Sequence, residues 1–239
     1  MKAIVCGANG AMGQLILASL GGEPYKVSLD GMNGVPKNFD ELGTVDADVI
    51  IDFSHHSAIT DVLSYAKAHS MAVVVGTTGH TEEEKALIFE AAKHIPVFFS
   101  GNMSLGIAVL CNLAKQAAAA FPDADIEILE IHHNRKVDAP SGTAKMLFEA
   151  VKEVRPNATA NCGRSGEGKR TKEEIGISAL RMGNVVGIHE VHVCTPSQTL
   201  VLRHEAANRA MFADGAVAAA KFLVGKPAGH YNMTHFLEG

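Results

Sequence analysis

Short apolar runs alternate with amphipathic stretches through the first hundred residues. Runs 2–6 (K-A-I-V-C), 48–53 (D-V-I-I-D-F), 72–75 (A-V-V-V) and 96–99 (P-V-F-F) are nearly continuous, the pattern of strands buried on both faces. Residues 25–29 form a further strand-like run ending at Asp30. Between these runs, 14–20, 58–69 and 81–93 predict helices; the last opens with Thr81 and Glu84 in capping-box spacing. The alternation predicts βαβ units and a parallel sheet with helices on both faces.

The pattern changes after Gly101. Residues 105–120 predict a long helix, and 125–132, 177–182, 188–195 and 199–206 predict longer strands of a second, mixed or antiparallel sheet. A helix over 141–154 lies between them, and the Gly/Lys/Arg-rich stretch 163–172 has the composition of a mobile loop. An Ala-rich helix at 213–223 and a polar tail follow. The Ala-rich helices 105–120 and 213–223 suit packing, since small residues permit close approach. There is no internal repeat and no low-complexity segment.

Composition narrows the class. The chain has 239 residues, 47 % hydrophobic and 20 % charged, enough for a substantial globular core. A formal net charge of −5 without a long basic run argues against nucleic acid as a partner, though it leaves room for a local cationic pocket. The four cysteines form no C-x-x-C pair and are expected to be reduced thiols in a cytoplasmic protein. The apolar run before Gly7 is too brief for a signal-peptide core. No stretch approaches the roughly 18 to 20 apolar residues of a membrane span, so no membrane partner is expected.

G-A-N-G-A-M-G, from Gly7 through Ala8, Asn9, Gly10, Ala11 and Met12 to Gly13, follows the first strand and opens a helix. Glycines there let the backbone approach a pyrophosphate at the helix N-terminus. The spacing is G-x-x-G-x-x-G, and by itself it also fits an ordinary strand-to-helix turn. Asp30 stands where an acidic residue meets the adenosine ribose hydroxyls, or is a solvated turn aspartate. In the first role it favours NADH over NADPH, because a carboxylate repels a 2′-phosphate, and neither Gly31 nor Ala11 supplies a cation. Gly76, Thr77, Thr78 and Gly79 follow the strand at 72–75, and Ser100, Gly101, Asn102 and Met103 follow the next. Two polar, glycine-bearing loops after successive strands suggest a nicotinamide-side wall.

The densest chemistry is E-I-H-H-N-R-K-V-D-A-P-S-G-T, residues 130–143. Two adjacent histidines, an arginine, a lysine and an aspartate precede a proline turn. Ser141 can N-cap the following helix, whose first N–H groups then point at an anion. A basic cluster facing a helix N-terminus suits a dicarboxylate; a surface turn with incidental charges is the plain alternative. His189, His192 and Cys194 do not make a metal site: positions 189 and 192 of a strand face opposite ways, and two ligands are too few for structural zinc. His55 and His56 fit a solvated loop better than a cofactor contact. Lys169 and Arg170 could close over anionic ligands or be merely solvated.

Residues 130–144, E-I-H-H-N-R-K-V-D-A-P-S-G-T-A, resemble the signature of the 4-hydroxy-tetrahydrodipicolinate reductase (dihydrodipicolinate reductase) family of lysine and diaminopimelate biosynthesis. G-A-N-G-A-M-G, D-V-I-I-D-F-S, G-T-T-G, G-N-M-S-L-G, R-M-G-N-V-V-G-I-H and F-A-D-G-A-V-A-A-A stand in the family's order over nearly the whole chain. The resemblance implies reduction of 4-hydroxy-tetrahydrodipicolinate to tetrahydrodipicolinate with NAD(P)H and loss of water. It implies His132 as acid/base, Lys136 as proton donor or substrate anchor, His133 as a substrate contact, and Ser141, Gly142 and Thr143 around a carboxylate. Gly7 to Met12, Asp30, Gly76 to Thr78 and Ser100 to Met103 would line the cofactor site, and the assembly would be a homotetramer built through the substrate-domain sheets. The family often has Arg or Lys where this chain has Ala11, and frequently a basic residue where it has Gly31; both departures weaken the case for NADPH.

The expected architecture is therefore α/β. A Rossmann-like parallel-sheet dinucleotide domain spans 1–103, completed by 213–239. An α+β substrate-binding and oligomerisation domain with a mixed sheet spans 104–212. Closure of the two is expected, with hinges at 102–106 and 206–214. A dehydrogenase acting on an amino-acid semialdehyde would not account for His-His, Lys and Ser-Gly-Thr occurring together. A non-catalytic dinucleotide sensor would be free to lose His132 or Lys136.

Overall fold

The computed structural model describes residues 1–239. The chain runs β1 (Ala3–Cys6), α1 (Ala11–Leu20), β2 (Tyr25–Val27), α2 (Phe39–Leu42), β3 (Val49–Asp52), α3 (Ile59–Ala68), β4 (Ala72–Val75), α4 (Glu82–Ala91) and β5 (Pro96–Phe99). It continues through α5 (Leu105–Ala120), β6 (Asp125–His132), α6 (Gly142–Lys152), β7 (Thr159–Cys162), β8 (Glu174–Arg181), β9 (Ile188–Cys194) and β10 (Thr199–Glu205). It ends with α7 (Ala210–Leu223), β11 (Gly229–Tyr231) and α8 (Met233–Glu238). Two compact units result: Met1–Leu105 with Arg209–Gly239, and Gly106–Asn208.

The first unit holds a six-stranded sheet, β11-β5-β4-β3-β1-β2, parallel throughout. β1, β3 and β4 are buried at every position, which is why their sequences are apolar without alternation. Ile59, Val62, Leu63, Ile88 and Ala91 of α3 and α4 share a core with Ile4, Ile50, Val73 and Val97. α7 presents buried Ala213, Ala216, Val217 and Ala220. Its Gly215 meets the loop after β5 so closely that a Cβ would overlap the carbonyl oxygen of Met103 and stand 2.9 Å from the carbonyl carbon.

The second unit holds the mixed sheet β10-β9-β6-β8-β7. β6 runs parallel to β8 and β8 to β7, whereas β9 is antiparallel to β6 and to β10. Alternation is strict on β6, where Ile126, Ile128, Glu130 and His132 are the buried positions. The sheet isoleucines Ile126, Ile128, Ile175 and Ile177 join Leu147, Phe148 and Val151 of α6 and Ile107, Leu110 and Ala114 of α5 in one core.

Several elements differ from the sequence reading. The chain after α7 is not simply a polar tail: G-H-Y pairs with β5 as β11 and α8 follows, capped by Asn232. β7, T-A-N-C, was invisible because its residues are mostly exposed and only backbone pairing to β8 makes it a strand. β8 begins at Glu174, before the apolar run; Gly176 within it leaves room for the Glu127 side chain, whose carboxyl carbon lies 2.6 Å from where a Cβ would be. β2 stops at Val27, so Asp30 lies in the loop beyond the strand rather than at its end. The basic stretch 163–172 is tied down: Arg164 pairs with Glu174, and Arg170 lies 3.3 Å from Asp125 and 3.2 Å from Glu127. Arg170 is thus committed to the sheet, not to an anionic ligand.

Gly215 yields a prediction of sign. In an open helix, Gly→Ala gains about 1 kcal/mol. Here Gly215→Ala is expected to lose about 1–3 kcal/mol through overpacking against Met103, read as a lower urea midpoint; a raised midpoint would contradict the close approach.

Candidate active site

In the first unit the sequence-predicted cofactor residues gather at the carboxyl ends of the parallel strands. Gly7 has φ 78 and donates its N–H to Val27 O at 2.9 Å, and Ala8 donates to the same oxygen at 3.1 Å. A Cβ on Gly7 would overlap Phe53 O, and one on Gly13 would overlap Gly7 O, so the loop can only be this tight without side chains. Gly10 begins α1 with no side-chain cap, leaving the helix N-terminus suited to phosphate. Asn9 Nδ2 donates to Asp30 Oδ1 at 2.6 Å, and the Met32 N–H donates to the same oxygen at 3.0 Å. The Met32 N–H, then Asn9, hold the Asp30 carboxyl below its usual range. These features fit a nucleotide: a turn drawn tight by Gly7 and Gly13, an uncapped helix start and an ionised carboxylate beside them.

Asp52, at the end of β3, organises the next loops. It is fully buried and accepts Ser54 Oγ at 2.5 Å and Thr77 Oγ1 at 2.6 Å. Burial pushes its carboxyl up, and the Ser54 and Thr77 hydrogen bonds oppose that rise. The Thr77 hydroxyl is therefore spent inside the protein, while Thr78 is exposed. Gly76 lies against the Phe53 ring, 2.9 Å from Cε1 for an added Cβ. Ser100 Oγ donates to Asn102 O at 2.8 Å, and Asn102 Oδ1 accepts the Ser104 N–H at 2.8 Å; Met103 is buried. His55 is exposed and His56 partly so, as a solvated loop would have them, and His56 Nδ1 lies 2.9 Å from Glu84 Oε1.

In the second unit the segment 130–143 is built around Glu130, which has no exposed surface. His132 Nδ1 donates to Glu130 Oε2 at 2.5 Å. The Arg181 guanidinium donates to both oxygens, each at 2.8 Å. The Ser141 N–H donates to Oε1 at 2.9 Å. Burial alone would raise this carboxyl; Arg181, His132 and Ser141 together outweigh it and hold the group below its usual range. Ser141 also N-caps α6 through Ala144 N at 3.1 Å, as its sequence position suggested, and its Oγ lies 3.2 Å from His189 Nε2. Gly142 and Thr143 form the first turn of α6.

Sheet register makes this cluster. His132 stands opposite Arg181 on β8, Glu130 opposite His189 on β9, and His189 opposite His204 on β10. The His132 and His189 rings meet edge to face at 5.1 Å. Burial, then the neighbouring His132, lowers the His189 pKa to about 4. An added Cβ on Gly187 would stand 3.1 Å from His132 Nε2, so glycine keeps that nitrogen unobstructed on this side. Lys136 Nζ pairs with Asp138 at 2.8 Å, and burial, then Arg135, lowers the His133 pKa. His192 faces away from His189 and pairs with Glu190 at 2.9 Å. Arg181, His189 and Gly187 were absent from the sequence-predicted site, although all three belong to the motif R-M-G-N-V-V-G-I-H.

Comparison with known proteins agrees with this layout. The family profile described as dihydrodipicolinate reductase, N-terminus, matches residues 1–103, and that described as dihydrodipicolinate reductase, C-terminus, matches residues 106–237. The chain is 43 % identical over 239 residues to a 4-hydroxy-tetrahydrodipicolinate reductase of Alkaliphilus metalliredigens, covering 99 % of each. It is 42 % identical over 245 residues to the enzyme of that name from Caldanaerobacter subterraneus, covering 98 % of this chain and 96 % of the relative. Among solved structures, dipicolinate-bound dihydrodipicolinate reductase from Paenisporosarcina sp. TG-14 superposes with a TM-score of 0.78 at 22 % identity, covering 97 % of both chains; that likeness establishes the fold.

The neutral His189 gives stability a pH dependence. The unfolded chain, with an ordinary imidazole near 6.5, binds more protons than the folded chain between pH 6.5 and about 4. Stability is therefore full above about pH 6.5 and falls as the pH drops, by about 3 kcal/mol from this group. Urea midpoints measured from pH 7 to pH 4 are expected to fall less steeply in His189→Gln; an equal slope would reject the assignment.

Proposed function

The chain belongs to the dihydrodipicolinate reductase family, and on that premise we propose how its own residues carry the reaction. It reduces 4-hydroxy-tetrahydrodipicolinate to tetrahydrodipicolinate with a reduced nicotinamide dinucleotide and loss of water, in lysine and diaminopimelate biosynthesis. The observation that carries the residue assignment is the buried Glu130 carboxylate, which ties His132, Arg181 and the start of α6 to one point.

When bound, the nicotinamide supplies the hydride. The protein must orient the substrate, neutralise two carboxylates and handle a proton. Because His132 Nδ1 donates to Glu130, Nε2 is the nitrogen left to exchange a proton with substrate. Glu130 is a positioning residue: it fixes the ring's orientation and tautomer. The first turn of α6, Ser141 to Thr143, offers N–H groups and a hydroxyl to one substrate carboxylate. Lys136 and His133 serve the rest of the dianion, with Lys136 as charged anchor and polariser as much as proton donor; its contact with Asp138 at 2.8 Å is one the substrate would compete with.

On the cofactor side, Gly7 to Met12 receive the pyrophosphate, Asp30 the adenosine ribose, and Gly76 to Thr78 with Ser100 to Met103 the nicotinamide side. Thr77 and Met103 act through backbone, since the Thr77 hydroxyl is bonded to Asp52 and Met103 is buried. Asp30 favours NADH, with NADPH as the lesser partner. The outer face of the mixed sheet carries Leu180 and Val201, 45 % and 46 % exposed, apolar area that a homotetramer would bury. No helix is long and apolar enough to cross a membrane; a cytoplasmic location agrees with four free cysteines.

The function is tested by following NADH and NADPH absorbance separately, with substrate generated from pyruvate and aspartate semialdehyde. Oxidation of neither would reject the assignment, and equal efficiency with both would reject the NADH preference. His132→Gln is expected to lower kcat by about 10²–10³-fold while KM changes by less than about threefold; a normal kcat removes His132 from the chemistry. Glu130→Gln should lower kcat at least about tenfold, and should also lower the urea midpoint because Arg181 loses its charge partner.

A further inference from the structure

Gly31 leaves an apparent gap in the recognition of a 2′-phosphate, since no cation stands next to Asp30 in sequence. In the folded chain the space beside Gly31 is already taken. Gly31 sits in the left-handed region, φ 59 and ψ 15, and an ideal Cβ built there lies 2.5 Å from Cε and 2.6 Å from Cγ of Lys37. The Lys37 stem therefore crosses directly over Gly31, one residue from the Asp30 carboxylate. The loop that brings it there is closed by a backbone bond, Ser28 N–H to Pro36 O at 2.9 Å. The Lys37 N–H is anchored on Glu41 Oε2 at 2.8 Å. Its side chain is exposed, and no carboxylate pairs with its ammonium. Lys37 also lines a shallow cleft together with Gly7, Ser28, Leu29 and Phe39, at the carboxyl ends of β1 and β2.

We propose that Lys37 is the specificity residue for the 2′-position of the dinucleotide, delivering from the far side of the loop the cation that residue 31 does not carry. The proposal rests on the dinucleotide reading above and deepens it. Glycine at 31 is then no simple loss: a side chain at that position would displace the Lys37 stem. A 2′-phosphate brought to Asp30 meets a fixed negative charge, held by Asn9 and the Met32 N–H, and a mobile positive one. A lysine ammonium on a flexible, hydrated stem offsets such repulsion without fixing phosphate geometry as an arginine fork does. NADH stays preferred, but the preference is narrowed, and the part owed to Lys37 is screened by salt.

The test is binding, not turnover. NADH and NADPH are titrated separately into the enzyme without substrate, by calorimetry or nicotinamide fluorescence, and the ratio of the two Kd values is read. Lys37→Gln is expected to shift the ratio about fivefold against NADPH, and Lys37→Arg to keep it within about twofold of the unsubstituted protein. In the unsubstituted protein, raising KCl from about 50 to about 300 mM is expected to weaken NADPH more than NADH. A ratio unmoved in Lys37→Gln, or a ratio insensitive to salt, overturns the role of Lys37. Failure of the unsubstituted protein to bind either dinucleotide would instead overturn the cofactor reading itself, and the proposal with it.

Discussion

A carboxylate without solvent sits near the carboxyl end of β6, and the site depends on how its charge is met. Taking such a group out of water costs several kcal/mol unless it is paired and hydrogen-bonded. Glu130 is met by the fork of Arg181, the ring of His132 and the backbone of Ser141. These partners come from β8, β6 and the start of α6, so one charge sets the relation of three elements. The charges also constrain what can lie beside them: His189, held neutral by burial and by His132, completes the cluster without adding a cation.

The first unit solves a similar problem with different chemistry. Asp52 is equally buried but accepts hydroxyls rather than a guanidinium. The result is a polar bracket between the loops after β3 and β4, and no net charge is imported to make it. Elsewhere in this unit the backbone is brought close by glycines whose Cβ would overlap a neighbour: Gly7 against Phe53, Gly13 against Gly7, Gly215 against Met103. One unit thus positions its loops mainly through steric closeness, the other mainly through compensated charge.

The legible parts of the sequence were those whose signal is local. Runs such as A-V-V-V and V-I-I-D are strands because both faces are buried, and burial leaves an unbroken apolar record. T-A-N-C and G-H-Y left none, because only main-chain pairing makes them strands. His132, His133 and Lys136 stand within five residues and announce themselves by density. Arg181 and His189 reach the same point through sheet register, which no spacing along the chain displays. Lys37 likewise comes to the space beside Asp30 only through the fold, where the Ser28–Pro36 backbone bond brings the loop back on itself.

The chain order of the two units has its own consequence. The six-stranded sheet takes β11, and its covering helix α7, from residues that follow the whole of the second unit. Ala213, Ala216, Val217, Ala220 and Leu223 are buried there, so the apolar surface they cover stays open until they arrive. During synthesis the mixed-sheet unit, contiguous in sequence, can reach its native contacts while the parallel sheet waits for its last strand. Completing the parallel sheet therefore needs the strand pairing of widest separation in the chain, from β5 to β11, whereas the mixed sheet is closed by strands of one contiguous segment.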